Sequence, residues 1–353
     1  MNLVAIIEVT EQCNLGCTHC LRPSFNLPVM SERTLEKVIK HLLEFGKKRV
    51  DFVWHGGEPL LAKIDFFEKV VEFQEKYNSK KVQIVNNVQT NGTTLTNNFA
   101  DFFDRYNFSI GTSIQGTKDM HDVTRITKNG LSTYDIVLDN IAKLSSKPSC
   151  IVVLTKGVLD REEEVYNSIK PHVRGVRISE YFPNGKTNFG EVDPEMPTPE
   201  EYGESMIKFY EVWKNDLDPI DLRPITEIIR SFVVGHSEGC LYSQEVCSHS
   251  ILGVKSTGEF YLCIRGAPEK KFSLGLVDEK PLERYELLAE NFNQERLINT
   301  LEKLCETCVF WKYCNGGCPL ESWKLYGDLN HKTYYCEGRK MLFKAIAKDM
   351  KIK

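Results

Sequence analysis

Three cysteines near the start of the chain have the spacing of a loop that binds a metal cluster. Cys13, Cys17 and Cys20 stand in the segment CNLGCTHC, directly after the apolar run of residues 3–9. Three thiolates can hold a [4Fe–4S] cluster by three of its irons, which leaves the fourth iron without a protein ligand and open to a substrate. A zinc site or a group of structural thiols is the alternative that this motif alone leaves open.

A glycine-rich turn follows the second apolar run of the chain and reads Gly56-Gly57-Glu58-Pro59. Adjacent glycines allow a backbone to approach a ligand closely, although the same residues alone describe an ordinary turn. Together with the cysteines, this turn resembles the radical S-adenosylmethionine (SAM) enzymes. Their signature is C-x3-C-x-aromatic-C, and His19 occupies the aromatic place here.

The resemblance implies a cofactor and a type of chemistry. In radical SAM enzymes the open iron binds the amino and carboxylate groups of SAM, and one electron from the cluster breaks a carbon–sulfur bond. This gives methionine and a 5′-deoxyadenosyl radical, which removes hydrogen from an unactivated carbon. By the same resemblance, the implied SAM-binding residues are His19, Gly56, Gly57, Glu58, Pro59, Asn91 and Ser113. Ser113 lies in the segment SIQG, where relatives carry an aspartate in the place of Gln115.

Length and composition limit the class of protein. The 353 residues suit a barrel-sized domain with a smaller second one. With 45 basic and 49 acidic residues, the net charge of −4 predicts neither a nucleic-acid partner nor an anionic membrane. We find no apolar run of membrane-spanning length and no signal peptide. Twelve cysteines in such a chain predict reduced thiols that bind metal, in an oxygen-poor cytoplasm.

The first 235 residues predict an α/β domain. Apolar runs rich in β-branched residues predict strands at 3–9, 50–55, 82–90, 108–115, 150–155 and 175–180. Amphipathic segments between them predict helices at 31–45, 66–77, 99–106, 133–144 and 160–172. Six such units imply a parallel sheet, and the family resemblance implies a partial (β/α)6 TIM-like barrel with its site at the carboxyl ends of the strands. A capping box at Thr198 predicts a further helix to about residue 215, and another helix should span 224–234 and end at Gly235.

Residues 236–353 predict a small, loop-rich second domain. Its cysteines are Cys240, Cys247, Cys263, Cys305, Cys308, Cys314, Cys318 and Cys336. The pattern G-x4-C, then C-x2-C-x5-C-x3-C, then a last cysteine resembles the SPASM auxiliary iron–sulfur domain, while a double zinc ribbon is the alternative. The resemblance implies two more [4Fe–4S] clusters, hence three in total. One would be bound by Cys240, Cys247, Cys263 and Cys318, and the other by Cys305, Cys308, Cys314 and Cys336. Because these ligands interleave, the domain should not fold without iron.

Several residues near these motifs are expected to be structural. Cys150 lies in an apolar run and should be a buried, inert thiol. Trp54 and His55 should be packed wall residues. Asp122 and Arg125 belong to an H-D-x-x-R segment seen in SPASM relatives, and a surface salt bridge explains them equally well.

The resemblance covers several functions. We favour oxidative modification of a ribosomally made peptide, by crosslinking or related C–H chemistry. The alternatives are an anaerobic sulfatase-maturing enzyme, which forms formylglycine, and a small-molecule dehydrogenase. Sulfatase-maturing enzymes place an aspartate directly after the cysteine of G-x4-C, whereas this chain has Ile264, which cannot accept a proton. Glu180 or Glu259 would then have to serve as the base.

The expected partners follow from this chemistry. They are a peptide or protein substrate and a reducing flavodoxin or ferredoxin. Because the chain starts at the first predicted strand, we also expect either a separate leader-binding protein or a substrate without a leader. A non-catalytic electron carrier is disfavoured, because a carrier has no use for an open iron beside a SAM-binding turn.

Overall fold

The structure is a computed structural model, and it describes residues 2–20, 27–46, 48–182, 190–237, 247, 250–267 and 270–352. Cys240, the expected fourth ligand of one auxiliary cluster, lies outside the described residues. Among the described residues, no helix combines the length and the apolar character that a membrane span needs.

Strands and helices alternate along the first half of the chain, as the sequence predicts. The strands are β1 (Asn2–Thr10), β2 (Arg49–Gly56), β3 (Gln83–Gln89), β4 (Ser109–Ser113), β5 (Ser149–Val153) and β6 (Gly175–Ser179). Each of them pairs in parallel with the next. The helices are α1 (Glu32–Phe45), α2 (Lys63–Tyr77), α3 (Asn97–Arg105), α4 (Lys118–Thr124), α5 (Tyr134–Ile141) and α6 (Glu162–Ile169). The short helix α4 has no counterpart among the predicted elements.

The first two strands show why the sheet forms. In β1, Leu3, Ala5, Ile7 and Val9 are fully buried on the face that the helices cover, while alternate residues such as Val4 and Ile6 are half-buried on the other face. This period of two is the pattern of a strand with two different environments. Burial of the larger side chains, Leu3, Ile7 and Val9, contributes about 1.5–3 kcal/mol each to stability.

Aromatic side chains fill the space between the sheet and its helices. Phe67 of α2 is completely buried and packs edge-on against Phe99 and Phe103 of α3, with ring centroids 6.0 and 5.4 Å apart. Edge-to-face pairs of this kind add about 0.5–1.5 kcal/mol to the burial of area. These phenylalanines are therefore core residues, as their helical spacing predicts.

Two predicted helices and one unpredicted strand follow. Helix α7 (Pro199–Asn215) begins with a capping box in which the side chain of Thr198 accepts from the backbone N–H of Glu201 at 3.1 Å, which confirms the sequence signature. Strand β7 (Asp221–Arg223) extends the sheet beside β6. Helix α8 (Ile225–Val234) ends at Gly235, whose φ of 86° is left-handed and favours glycine.

The cysteine-rich segment joins the same sheet. Strand β8 (Ile251–Val254) lies parallel to β1, and β9 (Glu259–Tyr261) and β10 (Ser273–Leu276) continue from it in antiparallel order. The ten strands run in the order β10-β9-β8-β1-β2-β3-β4-β5-β6-β7. A domain boundary after residue 235 stays a prediction, since the two expected domains share this sheet.

The helices of this segment complete the fold. They are α9 (Tyr285–Arg296), a π-helical continuation (Leu297–Cys305), α10 (Trp311–Cys314), α11 (Pro319–Tyr326) and α12 (Cys336–Asp349). Helix α12 packs closely on α7, because Gly338 faces Gly203 where they cross. A Cβ added at Gly338 would lie 2.1 Å from the backbone oxygen of Pro199. The C-terminal helix is thereby attached to the barrel.

Candidate functional site

The three N-terminal cysteines lie together in the loop after β1. Burial raises the pKa of the Cys13 thiol to about 11, and the nearby Glu58, Cys17 and Cys20 act in the same direction. The backbone N–H of Leu15 donates to the Cys13 sulfur at 3.4 Å and opposes the shift. A thiol buried as Cys13 is does not ionise readily by itself, but a bound metal deprotonates a coordinating thiol outright. The donor set therefore fits an iron–sulfur cluster.

The glycine turn after β2 packs directly on the cysteine loop. The backbone N–H groups of Gly57 and Glu58 donate to the carbonyls of Thr10 and Gln12, both at 2.8 Å. Gly56 has a φ of 141°, and a Cβ at Gly57 would lie 2.1 Å from the carbonyl oxygen of Gln12. Only glycine permits this close approach. The turn and the cysteines thus form one unit, as the presence of both motifs in the sequence predicts.

Glu58 connects this unit to the loop after β3. Its carboxylate is fully buried and accepts hydrogen bonds from the Thr90 hydroxyl at 2.7 Å, the Asn91 backbone N–H at 2.7 Å and the Leu60 backbone N–H at 3.0 Å. Burial raises its pKa to about 7, and these hydrogen bonds oppose the rise. Glu58 therefore holds two loops in register, while direct contact with SAM by Glu58 or Pro59 stays a prediction.

Asn91 lies beside the cysteines. Its side-chain amide donates to the Oδ1 of Asn14 at 2.9 Å and lies 3.8 Å from the Cys13 sulfur. Its own Oδ1 accepts from the backbone N–H of Thr93 at 2.9 Å. Such contacts around a ligand orient it and tune the metal.

Ser113 and Gln115 occupy the carboxyl end of β4. Gln89 donates to the backbone carbonyl of Thr112 at 3.1 Å and reaches the Ser113 hydroxyl at 3.5 Å. Gln115 accepts from the backbone N–H of Val153 at 3.2 Å and donates to the carbonyl of the same residue. An amide makes both bonds, whereas a carboxylate could accept only one of them. The replacement of the expected aspartate therefore links β4 to β5.

His19 is buried between the cysteine loop and the segment after α4. Burial lowers its pKa well below the usual value, and the nearby Arg125 and His121 act in the same direction, so the ring is neutral. Neither ring nitrogen has a hydrogen-bond partner within the described structure. The loop itself is held by backbone bonds from Gly16 and Thr18 to Ile126 and Thr124, at 2.8 and 2.9 Å.

The segment of residues 118–134 thus supports the cysteine loop, which the sequence did not indicate. Asp122 accepts from the Ser132 hydroxyl at 2.6 Å and from the backbone N–H groups of Thr133 and Tyr134, both at 3.1 Å. It caps the start of α5 and forms no ion pair with Arg125 in the described structure. The salt-bridge interpretation of Asp122 and Arg125 is therefore wrong.

Four of the eight cysteines in residues 236–353, which we call the second field, gather around a cavity. The cavity has a volume of about 430 Å3, part of it open to solvent, and its lining includes Cys305, Cys308, Cys314 and Cys336. Burial raises the pKa of the Cys305 thiol to about 11, with further increases from the other three sulfurs. No three His, Cys, Asp or Glu side chains of the described residues could hold a single metal ion. A four-iron cluster, being larger, separates its thiolates more widely than one ion does.

The other expected ligand set is only partly described. Cys247 is held by Asn293, which accepts from its backbone N–H at 2.7 Å and donates to its carbonyl at 2.8 Å. Cys263 is separated from the end of β9 by Leu262, and Cys318 directly precedes α11. With Cys240 outside the described residues, this set stays a prediction. Cys150 is 2% exposed, which confirms a buried thiol, and burial raises its pKa to about 12.

A buried group of charges beside the cysteine loop was missed at the level of sequence. Lys255, just after β8, forms an ion pair with Glu11 and lies 3.9 Å from the Oε2 of Glu8. The side chains of Glu8, Glu11 and Lys255 are 4%, 1% and 13% exposed. A glutamate inside the apolar strand β1 is the signal that could have revealed it.

Comparison with known proteins agrees with this geometry. Residues 7–169 match the model of the Radical SAM superfamily, so the chain contains a radical SAM domain, and it is an enzyme. Its cofactors are accordingly SAM and [4Fe–4S] clusters. The partial TIM-like barrel and the cysteine-rich second segment, expected from the sequence, are confirmed.

Curated relatives and solved structures extend over nearly the whole chain. A cysteine-type anaerobic sulfatase-maturating enzyme of Clostridium perfringens (strain 13) is 27% identical over 96% of this chain and 94% of its own. A serine-type enzyme of Bacteroides thetaiotaomicron is 27% identical over 98% of this chain and 90% of its own. The structure of native anSMEcpe with bound AdoMet and Cp18Cys peptide superposes with a TM-score of 0.87, 25% identity and complete coverage of both chains.

Proposed function

We propose that this enzyme uses a SAM-derived radical to remove hydrogen from a peptide or protein side chain and then oxidises that side chain by two electrons in all. One observation carries the proposal: the structure holds two separate cysteine groups of different kinds. The first has three thiols beside a glycine turn, and the second has four thiols around one cavity. A cluster with three cysteine ligands has one iron free to bind SAM. A cluster with four cysteine ligands has no free iron and can only transfer electrons.

At the first group, Cys13, Cys17 and Cys20 would hold the SAM cluster. SAM bound there supplies the 5′-deoxyadenosyl radical. The turn of Gly56 and Gly57 would present its backbone to the cofactor, with the remaining contacts from His19, Glu58, Pro59, Asn91 and Ser113. The neutral, buried ring of His19 excludes water from the cluster loop without adding charge.

At the second field, Cys305, Cys308, Cys314 and Cys336 would bind one auxiliary cluster. Cys240, Cys247, Cys263 and Cys318 would bind the other. Two clusters with four cysteine ligands each would give the electron removed from the substrate a path out of the protein. A flavodoxin or ferredoxin would supply the electron that starts the reaction at the SAM cluster.

The substrate class is supported by the relatives. Both curated enzymes act in sulfatase maturation by their names, and anSMEcpe is seen with a peptide. We favour oxidation of a peptide other than a sulfatase, because Ile264 follows Cys263 and cannot accept the proton that must leave the substrate. Formylglycine formation is the second candidate, favoured by the similarity over nearly the full chain.

The test compares substrates under anaerobic conditions. Reconstituted enzyme with SAM and dithionite should form 5′-deoxyadenosine slowly without substrate, and the triple variant Cys13→Ala, Cys17→Ala, Cys20→Ala should form none. Peptides with a cysteine or a serine in a sulfatase motif serve as probes, beside peptides encoded near the gene. We expect transfer of deuterium from a neighbouring peptide into 5′-deoxyadenosine and no formylglycine. Many turnovers of formylglycine on a sulfatase peptide would select the second candidate instead.

A further inference from the structure

One buried cation stands between the second cysteine group and the barrel. Arg339 lies on α12 and lines the same cavity as the four cysteines. Its Nη1 donates to the Cys314 sulfur at 3.6 Å. Its Nε and Nη2 donate to the two carboxylate oxygens of Glu180, at 2.7 and 2.6 Å. The side chains of Arg339 and Glu180 are only 7% and 9% exposed.

This pair connects the cavity to the catalytic end of the barrel. Glu180 directly follows β6, at the end of the sheet where parallel α/β folds place their sites. A planar guanidinium that binds both oxygens of a carboxylate fixes the direction of both groups. Because both of its oxygens are held in this way, Glu180 is poorly placed to act as a base for the substrate.

Arg339 is also the best-shielded cation that lines the cavity within the described structure. Lys332 and Lys340 line it too, but 41% and 32% of their side chains are exposed, and both pair with Glu337. Charges in water are strongly screened, whereas a buried charge acts at a lower effective dielectric constant. Arginine also keeps its charge in any protein environment. The positive charge of Arg339 therefore has a stronger electrostatic effect on groups in the cavity than the charge of Lys332 or Lys340.

The surrounding carboxylates do not cancel this effect. Glu321 is fully buried nearby, and burial raises its pKa to about 7, with Glu180 acting in the same direction and Arg339 against it. It accepts from the Thr333 hydroxyl and from the backbone N–H of Tyr334 at 2.9 Å. One permanent positive charge thus donates to the Cys314 sulfur through Nη1, while its compensating carboxylate, Glu180, is bound by the other two guanidinium nitrogens.

We propose that Arg339 is a positioning residue that raises the reduction potential of the cluster bound by Cys305, Cys308, Cys314 and Cys336, and that Glu180 moderates this increase. Reduction adds one electron, and therefore one negative charge, to the cluster. A hydrogen bond to a ligand sulfur and a nearby positive charge both favour the more negative state. The inference rests on the proposed assignment of these four cysteines as cluster ligands.

The experiment is a potentiometric titration of the reconstituted full chain, followed by electron paramagnetic resonance. The signal of this cluster is the one that the double variant Cys305→Ala, Cys336→Ala removes. We expect Arg339→Gln to lower the equilibrium constant for one-electron reduction by about tenfold or more, which corresponds to 59 mV. Glu180→Gln should shift the potential in the opposite direction, because it removes the opposing charge. Arg339→Lys, which keeps the charge, should restore part of the loss.

Lys344→Gln is the matched control, because Lys344 is an exposed cation on the same helix. It should change the equilibrium constant less than twofold. Iron content is measured for every variant. If Arg339→Gln fails to fold, the shift of the reduction potential in Glu180→Gln tests the inference: an increase supports it and a decrease overturns it. Full iron with an unshifted potential, or shifts of the same sign in both variants, overturns the inference alone. If the double cysteine variant keeps all its iron, the proposed cluster assignment fails and the inference with it.

Discussion

Three largely buried ionisable residues connect separate parts of this enzyme. Lys255 lies close to two glutamates beside the cysteine loop and forms an ion pair with one of them. Glu58 connects two loops, and Arg339 connects the last helix to the residue after β6. Buried charges of this kind are tolerated because each has a partner, and removing one partner is costly.

Replacing Lys255 tests this at the scale of one residue. Lys255→Met leaves Glu8 and Glu11 buried without their shared cation. We expect the apparent free energy of unfolding to fall by about 3–5 kcal/mol. Denaturant unfolding of the reconstituted protein measures this loss. The control is Lys280→Met, since Lys280 is 71% exposed beside Glu283 and its pair should contribute at most about 1 kcal/mol. Equal effects in the two variants would contradict the argument.

His121 gives the fold a dependence on pH. It accepts from the backbone N–H of Gln115 through Nδ1 at 3.3 Å, and its Nε2 lies 3.0 Å from the Thr133 hydroxyl. Burial lowers its pKa to about 3, with a further decrease from Arg125, while the unfolded value is 6.5. Its folded pKa is depressed, so the unfolded state takes up the proton first as pH falls below 6.5, and stability is lost.

The expected cost of lowering the pH from about 7.5 to about 5 is about 2 kcal/mol through His121. His121→Gln should lack this part of the pH dependence, although it will be less stable at neutral pH. His236→Gln, at an exposed position, is the control and should behave as the wild type. Denaturant unfolding at the two pH values measures the change in the free energy of unfolding. If this change is the same in His121→Gln as in the wild type, the assignment to His121 is wrong.

At the scale of elements, loops that follow different strands depend on one another. The turn after β2 can only lie on the loop after β1 because Gly57 has no side chain. The loop after β3 then attaches through Glu58. Local sequence therefore specifies each turn, while their mutual contact specifies the site.

Gly57→Ala should disrupt the SAM cluster selectively. The added Cβ would meet the carbonyl oxygen of Gln12 at 2.1 Å, so the cysteine loop must move. We expect about a third of the iron to be lost, together with SAM cleavage, while the second field keeps its clusters. Gly157→Ala is the control, because its Cβ would meet only the Thr155 hydroxyl at 3.6 Å. Retention of full iron and SAM cleavage by Gly57→Ala would refute the role of the close approach.

At the scale of the molecule, the cysteine-rich segment is part of the sheet and is not an appendage. Strand β8 pairs with β1, and α12 packs on α7 through Gly338 and Gly203. Loss of the auxiliary clusters should therefore loosen one edge of the barrel as well as the segment itself.

Removal of iron tests this coupling. Treating the reconstituted enzyme anaerobically with a chelator should speed proteolysis first in residues 236–353, because the proposed auxiliary clusters would be removed from that segment. Cleavage should then appear near β1, whose partner β8 has been lost, before it appears near β5. Mass spectrometry of the fragments gives this order. Cleavage that starts in β5 or β6 would contradict the coupling.

The sequence alone determined the local parts of this enzyme. The cysteine spacings, the glycine turn, the six strand–helix units and the capping box at Thr198 all depend on neighbouring residues, so they can be read along the chain. The buried aromatics of α2 follow from helical periodicity in the same way. The order of strands and helices was predictable for this reason, whereas the partial barrel and the grouping of the later cysteines were expected from the family resemblance.

Only the tertiary structure decided which distant residues meet. Glu180 and Arg339 are 159 positions apart, and no local pattern indicates that they form a pair. The same holds for Lys255 with Glu11, and for β8 beside β1. Strand β7, with three residues, is too short to show a period. Contacts between distant residues depend on how the whole chain folds. The spacing of residues along the sequence does not indicate which distant residues will meet.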